Sequence, residues 1–265
     1  MLGFFQKFKN IFKGQSYSEV PSVTPRKANA KNSTVDQSIE NEINPILLKE
    51  LKNGLLPGEV LLMYWLEGNN LNSNPPGYFK YTYGINAKVA AKKLVENGYL
   101  TESSPGEAIK TLKVAELKEI LKEHNLKLSG NKATLIERIT ENLTEDEIVK
   151  YIDEKPLQIT DKGEKTLKEY YYIVPAHRFS SKDGVYNVAE AIKYFNEFKG
   201  NYNPPNGDIS WALLQKSYLR NLQNGDYGLA RNNIRSMAEQ LNREKKLKSS
   251  LLHYVEVFVM DMSGL

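Results

Sequence analysis

Residues 112–143 restrict the possible folds of this chain more than any other segment. They read LKVAELKEILKEHNLKLSGNKATLIERITENL, with apolar residues at three- and four-residue spacing on both sides of a polar loop. This periodicity predicts two short amphipathic helices. About 35 residues bury only a marginal core, so we expect the pair to dock on a flanking domain. The apolar positions are Val114, Leu117, Ile120, Leu121 and His124 in the first helix, and Leu135, Ile136, Ile139 and Leu143 in the second.

The connection between these helices begins at Asn125, a residue type that tolerates the left-handed backbone conformation found after helix ends. Leu126 and Leu128 are expected to attach the connection to the core through apolar contacts. Ser129 is a favourable N-cap residue, so we expect it to start the second helix, with Lys132 at the third position.

A helix N-terminus of this kind is suited to binding an anion. Its first N–H groups have no partner within the helix, and the helix dipole favours negative charge there, as in phosphate sites. Glycine at position 130 lets the backbone approach a ligand closely. Phosphate contacts position a protein on nucleic acid without reading its sequence. The predicted DNA-contacting residues are Lys127, Ser129, Gly130, Asn131, Lys132 and Arg138.

The segment resembles the SAP domain, a small module of two helices joined by an extended loop. Two positions depart from the family pattern, because Asn125 stands where glycine is usual and Lys113 stands where serine or threonine caps the first helix. The resemblance implies binding of duplex DNA, often AT-rich, with little strict sequence specificity. The matching residues are the leucine-rich stretch 117–121, Asn125-Leu126, Ser129-Gly130-Asn131-Lys132, Leu135-Ile136 and Arg138.

Charge does not by itself indicate a strongly basic surface. Residues 111–143 carry six lysine and arginine residues against five glutamates, a net charge of +1. The whole chain has a net charge of +4, which permits a polyanionic partner without requiring one. In the alternative interpretation, Ser129 only caps the helix, Lys132 is solvated and Arg138 pairs with a nearby glutamate. DNA binding therefore requires the cations to face one way.

The segments on either side of this module predict one interrupted α+β domain. Residues 78–85, YFKYTYGI, alternate aromatic residues as a strand or an extended segment does. Asn86 is expected to cap a helix, and Gly98 lies just past the end of that helix, where a left-handed residue is expected. Short extended segments at 99–101 and 156–160, the second followed by a helix, resemble the second half of a winged-helix domain. About 55 residues separate them, far too many for a wing loop, so the module is predicted to be inserted there.

In the winged-helix resemblance, the helix that starts after Asn86 is the candidate recognition helix. Lys88 and Lys92 are four residues apart and share one helical face. A solvated helix face would show the same pattern. The predicted second DNA contact consists of Asn86, Lys88, Lys92 and Lys93.

The two ends of the chain differ in composition from this middle part. Residues 1–13, MLGFFQKFKNIFK, predict a basic amphipathic helix that lies on a membrane surface or on a partner, or packs on its own protein. Residues 14–42 predict a flexible linker. Residues 177–265 have helical periodicity throughout and predict an antiparallel helical array that binds a protein partner, forms an oligomer or is purely structural. The predicted interrupted domain occupies 43–110 and 153–176, with the SAP-like module at 111–152.

The sequence offers no recognisable catalytic arrangement. The absence of cysteine removes disulfides and thiolate metal sites and fits a reducing cytoplasm. The three histidines are scattered, and no metalloprotease, phosphate-loop or serine-hydrolase motif occurs. We therefore predict a mainly α, cytoplasmic, non-enzymatic protein that needs no cofactor or metal and binds double-stranded DNA with low sequence specificity. The alternative is a protein–protein interaction adaptor that residues 1–13 anchor to a membrane or partner.

Overall fold

The computed structural model describes residues 43–264 of the chain. The predicted amphipathic helix at 1–13 and the predicted linker at 14–42 lie outside the described residues.

Helices make up most of the described chain, which confirms the mainly α fold class. Residues 43–264 contain thirteen α-helices and one two-stranded sheet, together with short 3-10 helices at Pro45–Leu48 and Ile109–Thr111. The α-helices are α1 Pro57–Leu66, α2 Tyr78–Tyr81, α3 Ala87–Glu96, α4 Pro105–Ala108, α5 Val114–Glu123, α6 Lys132–Asn142, α7 Glu145–Val149, α8 Asp161–Glu169, α9 Ile173–Arg178, α10 Val188–Glu197, α11 Asn206–Asn224, α12 Tyr227–Arg243 and α13 Leu247–Ser263. The strands are β1 Leu100–Glu102 and β2 Leu157–Ile159.

Helix α1 forms the centre of the main hydrophobic core. It is apolar on almost all sides, as expected of a helix surrounded by other elements, and Val60, Leu62 and Met63 are fully buried. It packs against α3, α8, α9 and β2. The same core continues through α10 to Ile209 in α11, so the packing has no break at the predicted boundary between residues 176 and 177.

The two strands flank the predicted insertion, which follows the end of β1 and precedes the start of β2. They are antiparallel, with Leu100 opposite Ile159 and Glu102 opposite Leu157. Helix α3 leads into β1 through Gly98, whose φ of +70° is the expected left-handed conformation. After β2, the Thr160 hydroxyl accepts from the N–H of Gly163 at 3.2 Å and so caps α8. The winged-helix resemblance of these flanking segments stays a prediction.

The aromatic segment 78–85 does not form the predicted strand. Residues Tyr78–Tyr81 form helix α2, directly after Pro75-Pro76-Gly77. Phe79 and Tyr83 are buried at 1% and 2% exposure, whereas Tyr81 is 70% exposed. A spacing of four residues, rather than two, brings the buried rings onto one side, so tertiary packing overrides the β-propensity of the aromatic residues.

The last three helices form a row, which confirms the predicted helical array. Arg231 near the start of α12 binds Asp261 near the end of α13, and Ser250 near the start of α13 donates to the carbonyl of Ala238. Consecutive helices therefore run antiparallel. Helix α11 ends at Asn224, and the next residue, Gly225, has a φ of +76° that allows the tight turn into α12.

Residues 43–264 contain neither a membrane-spanning helix nor a cluster of metal-binding side chains. No helix in this range has both the length and the apolar character needed to cross a membrane. No group of three or more histidine, aspartate or glutamate side chains in the same range is arranged to hold a metal ion.

Candidate nucleic-acid interface

The predicted two-helix module has a hydrophobic core separate from the main one. The faces predicted from periodicity are mostly correct, but Val114 is 41% exposed and Leu128 is 40% exposed. Val114 lies in the first turn of α5, and Leu128 lies in the loop, where solvent reaches both. Leu126 packs against the core as predicted. The buried residues are Ile109, Leu117, Ile120, Leu121, Leu135, Ile139, Leu143 and Ile148.

The loop leaves α5 through the predicted left-handed residue. Asn125 has a φ of +53°, and the N–H of Leu126 donates back to the carbonyl of Leu121 at 2.7 Å. This bond satisfies a carbonyl that the end of the helix would otherwise leave unpaired. At the other end of α5, the Glu116 carboxylate accepts from the N–H of Lys113, so the helix starts without the usual serine or threonine.

The predicted start of α6 is wrong by two residues. Asn131, and not Ser129, is the N-cap: its Oδ1 accepts from the N–H of Thr134 at 3.0 Å and from the Thr134 hydroxyl at 3.1 Å. Asparagine caps helices about as well as serine, so propensity alone does not distinguish the two positions. The first helical residue is therefore Lys132.

Gly130 occupies a conformation that other residues rarely adopt. Its φ is +136°, and a Cβ at this position would lie 3.0 Å from both Cβ and Cγ2 of Thr134. The loop therefore turns tightly into α6 because residue 130 has no side chain.

Arg138 faces the loop and not a glutamate. Its Nη1 donates to the carbonyl of Lys127 and, at 3.1 Å, to the carbonyl of Ser129. Within residues 43–264 it forms no ion pair with a carboxylate, so the alternative interpretation of a local arginine–glutamate pair is wrong. The guanidinium instead fixes the shape of the loop and places a positive charge beside it.

The orientation of the peptide groups follows from the Arg138 contacts. No described peptide bond is cis, and in a trans peptide the N–H points away from the C=O. The carbonyls of Lys127 and Ser129 point at Arg138, so the N–H groups of Leu128 and Gly130 point away from it. Residues 127–133 are exposed to solvent. These two N–H groups therefore lie in an exposed stretch of the chain and point away from the guanidinium.

The charge around the loop is more positive than that of the whole module. No acidic residue occurs between Glu123 and Glu137, whereas Lys127 and Lys132 both lie there and are exposed. The N–H groups of Lys132 and Ala133 are at the first turn of α6, where no intrahelical acceptor exists. Helix dipole, amides and cations thus favour an anion at one place.

The second predicted contact is divided between exposed and paired lysines. Asn86 caps α3 as expected, with its Oδ1 accepting from the N–H of Val89 at 3.3 Å. Lys88 and Lys92 are exposed on α3. The Nζ of Lys93 instead lies 3.4 Å from the buried carboxylate of Glu59, which also accepts from the N–H of Leu56. Lys93 therefore neutralises a negative charge in the scaffold. The structure therefore leaves two of the three predicted lysines directed at solvent.

Comparison with known proteins identifies the module. The family model of the SAP domain matches residues 108–144. This segment is a SAP domain. The SAP domain is a DNA-binding module, and the match therefore supports a DNA-associated role for the chain. No curated protein matches the chain. No solved structure matches it either.

Sequence reasoning missed two features of the SAP loop. The capping role of Asn131 has no distinguishing local signal, because Ser129 and Asn131 are both good N-cap residues and each has a backbone N–H three residues later. The contact of Arg138 with the loop carbonyls joins residues that are nine and eleven positions apart. Helical periodicity places Arg138 on α6 but does not say where a long side chain ends, so no local signal predicted this contact.

Proposed function

We propose that this protein binds duplex DNA with low sequence specificity, by gripping phosphates with the SAP loop and the N-terminus of α6. The supporting observation is the pair of contacts from Arg138 to the carbonyls of Lys127 and Ser129. These contacts turn the neighbouring N–H groups away from Arg138, and Lys127 and Lys132 are exposed in the same stretch of chain. The proposed function is non-enzymatic and cytoplasmic.

Low specificity follows from the kind of donor in the proposed site. Backbone N–H groups and lysine side chains recognise phosphate oxygens, which are the same for every base pair. Reading the bases would require side chains such as asparagine, glutamine or arginine in a groove. Asn131 uses its Oδ1 to cap α6, and Arg138 uses its Nη1 on the loop.

Salt dependence of duplex binding tests this proposal. Three cations, Lys127, Lys132 and Arg138, give an expected slope of about −2.7 for log affinity against log salt, or a loss of roughly 40-fold between 50 and 200 mM. Lys132→Ala should weaken binding similarly on AT-rich and GC-rich duplexes and reduce the slope to about −1.8. Lys199→Ala removes the same charge from an exposed position outside the SAP domain and serves as the matched control.

Two outcomes would contradict the proposal. The first is a lack of duplex binding by the full chain at 50 mM salt. The second is a slope that Lys132→Ala leaves unchanged, which would remove Lys132 from the interface. An equal effect of Lys199→Ala would mean that binding follows net charge rather than the loop.

We further propose that Lys88 and Lys92 of α3 contact the same duplex. Both are exposed, and they lie four residues apart on one face. With these two contacts added to the three of the loop, the slope of the full chain would be about −4.5, and replacing both lysines with alanine should bring it back to about −2.7. An unchanged slope would restrict the interface to the SAP domain.

The alternative function is that of a protein–protein interaction adaptor, and exposed apolar side chains on the C-terminal helices favour it. In this function, residues 1–13 anchor the chain to an anionic membrane or a partner. Deleting residues 1–13 should abolish binding to vesicles that contain anionic lipid. Vesicle binding that survives the deletion would contradict the anchor.

A further inference from the structure

The last helix, α13, presents a continuous apolar surface to solvent. We define the α13 stripe as Leu251, Leu252, Val255, Phe258, Val259 and Met262, which are between 49% and 73% exposed. Successive residues of a helix are rotated by about 100°, so these six side chains fall within an arc of about 120°. Between residues 251 and 262, the charged residues of α13 lie outside this arc.

The opposite side of α13 explains why the stripe is free in the single chain. Ser250 and Val257 are buried, and the Ser250 hydroxyl donates to the carbonyl of Ala238 in α12 at 2.9 Å. Helix α13 therefore packs on α12 with one side and directs the stripe away from it. A surface helix of a globular protein normally carries charged and polar residues on the face that is turned to solvent.

The size of the stripe matches a protein–protein interface. Multiplying each exposed fraction by the full accessible area of that residue type gives about 650 Å² per copy, against about 800 Å² per partner for a standard interface. The largest apolar patch of an ordinary monomer is about 300–600 Å². A second stripe of equal size would bring the total to about 1,300 Å², within the range of specific complexes.

We propose that the α13 stripe is a dimerisation surface that binds the α13 stripe of a second copy of this chain, antiparallel, across a two-fold axis near Val255. Helices α11, α12 and α13 alternate in direction, so the next helix in the row runs antiparallel to α13. A second α13 related by a two-fold axis has that direction and presents an equally apolar arc. The uncharged stripe meets no like charge in its copy, and a two-fold interface closes at two subunits. This inference does not rest on DNA binding, because it concerns other residues.

Sedimentation of the full chain without DNA tests the dimer. Between 1 and 100 μM, the mass should rise from 30.2 kDa toward twice that value. Phe258→Glu places two carboxylates in the proposed interface and should raise the dimer dissociation constant at least 100-fold. Phe258 is 62% exposed, so the substitution removes little from the monomer core, and the helical circular dichroism should be unchanged. Leu219→Glu, at a 51% exposed position of α11, is the matched control and should not change the mass.

Cysteine cross-linking tests the antiparallel direction, since the chain contains no natural cysteine. Val255→Cys should form a disulfide between copies, because the two sulfurs meet near the axis. Leu251→Cys and Val259→Cys should each fail alone, since copies of either position lie about 12 Å apart. A mixture of the two variants should cross-link.

Each contrary result overturns the proposal. A wild-type chain that stays at 30.2 kDa at 100 μM has no such dimer, whether or not it binds neutral lipid vesicles through the stripe. A dimer that Phe258→Glu leaves intact uses another surface. Efficient cross-linking of Leu251→Cys alone would show a parallel pair and refute the two-fold arrangement.

Discussion

Replacing Arg138 with methionine should loosen the SAP loop without unfolding the module. Arg138 is partly exposed and donates to the carbonyls of Lys127 and Ser129. A hydrogen bond to a charged group contributes about 1.5–3 kcal/mol, and solvent screening reduces that value for an exposed pair. We therefore expect Arg138→Met to cost about 1–3 kcal/mol in the free energy of opening the loop. Methionine keeps the apolar stem of the side chain, so the core contacts remain.

Hydrogen exchange at the N–H of Leu126 measures this cost. That N–H donates to the carbonyl of Leu121 at 2.7 Å where the loop begins. A loss of about 1–3 kcal/mol should accelerate its exchange by roughly 5- to 150-fold, because 1.4 kcal/mol corresponds to a factor of ten. Lys132→Met removes a charge from the same region without a loop carbonyl contact and should leave the rate unchanged. Arg138→Lys keeps the charge but loses the planar guanidinium, so it should retain the salt slope and lose protection.

Two results would show that the contacts of Arg138 do not hold the loop. If Arg138→Met leaves the Leu126 exchange rate as it is, the carbonyl contacts do not hold the loop. If Lys132→Met accelerates exchange equally, the effect comes from charge and not from the contacts of Arg138.

Three further predictions follow from the packing. Gly130→Ala should destabilise the loop by about 1–3 kcal/mol, because φ is +136° and the new Cβ meets Thr134; faster exchange of the loop amides would show it. Leu121→Ala, at a fully buried position of the small core, should cost about 2–5 kcal/mol and accelerate cleavage by trypsin after Lys127 and Lys132, because the module opens more often. Burial, followed by the charge of Arg178, lowers the pKa of His177, so the unfolded chain binds its proton more readily and stability should fall as the pH drops below about 6.5. Between pH 7 and 5, the midpoint of thermal unfolding should fall less for His177→Gln than for the unsubstituted chain.

The SAP domain was the most predictable part of this protein because its helices and turns depend on residues that are close together in sequence. The helices follow from apolar spacing, and the left-handed conformation of Asn125 follows from the tolerance of asparagine for positive φ. The helix start was less predictable, since Ser129 and Asn131 have similar capping propensities and only the backbone path of Gly130 decides between them.

Features that depend on the tertiary structure were not predictable from the sequence. Residues 78–81 form a helix because Phe79 and Tyr83 must reach one core, a requirement absent from the local pattern. The pairing of Lys93 with buried Glu59 joins two helices that are far apart in sequence, so the sequence pattern groups that lysine with Lys88 and Lys92 in the predicted DNA contact. The spacing of the apolar residues in α13 predicts a helix, but only the packing of that helix shows which of these residues stay exposed.

The pairing of β1 with β2 links the stability of the scaffold to that of the SAP domain. Glu102 and Leu157 lie opposite each other, so this hairpin is closed by residues 103–156. If that segment were unfolded, loop-closure entropy would cost about 2 kcal/mol more than a four-residue turn. A folded SAP domain removes the cost by holding its own two ends near each other. Any ligand that binds only the folded domain therefore also strengthens the distant strand pair, by the usual linkage of binding and folding.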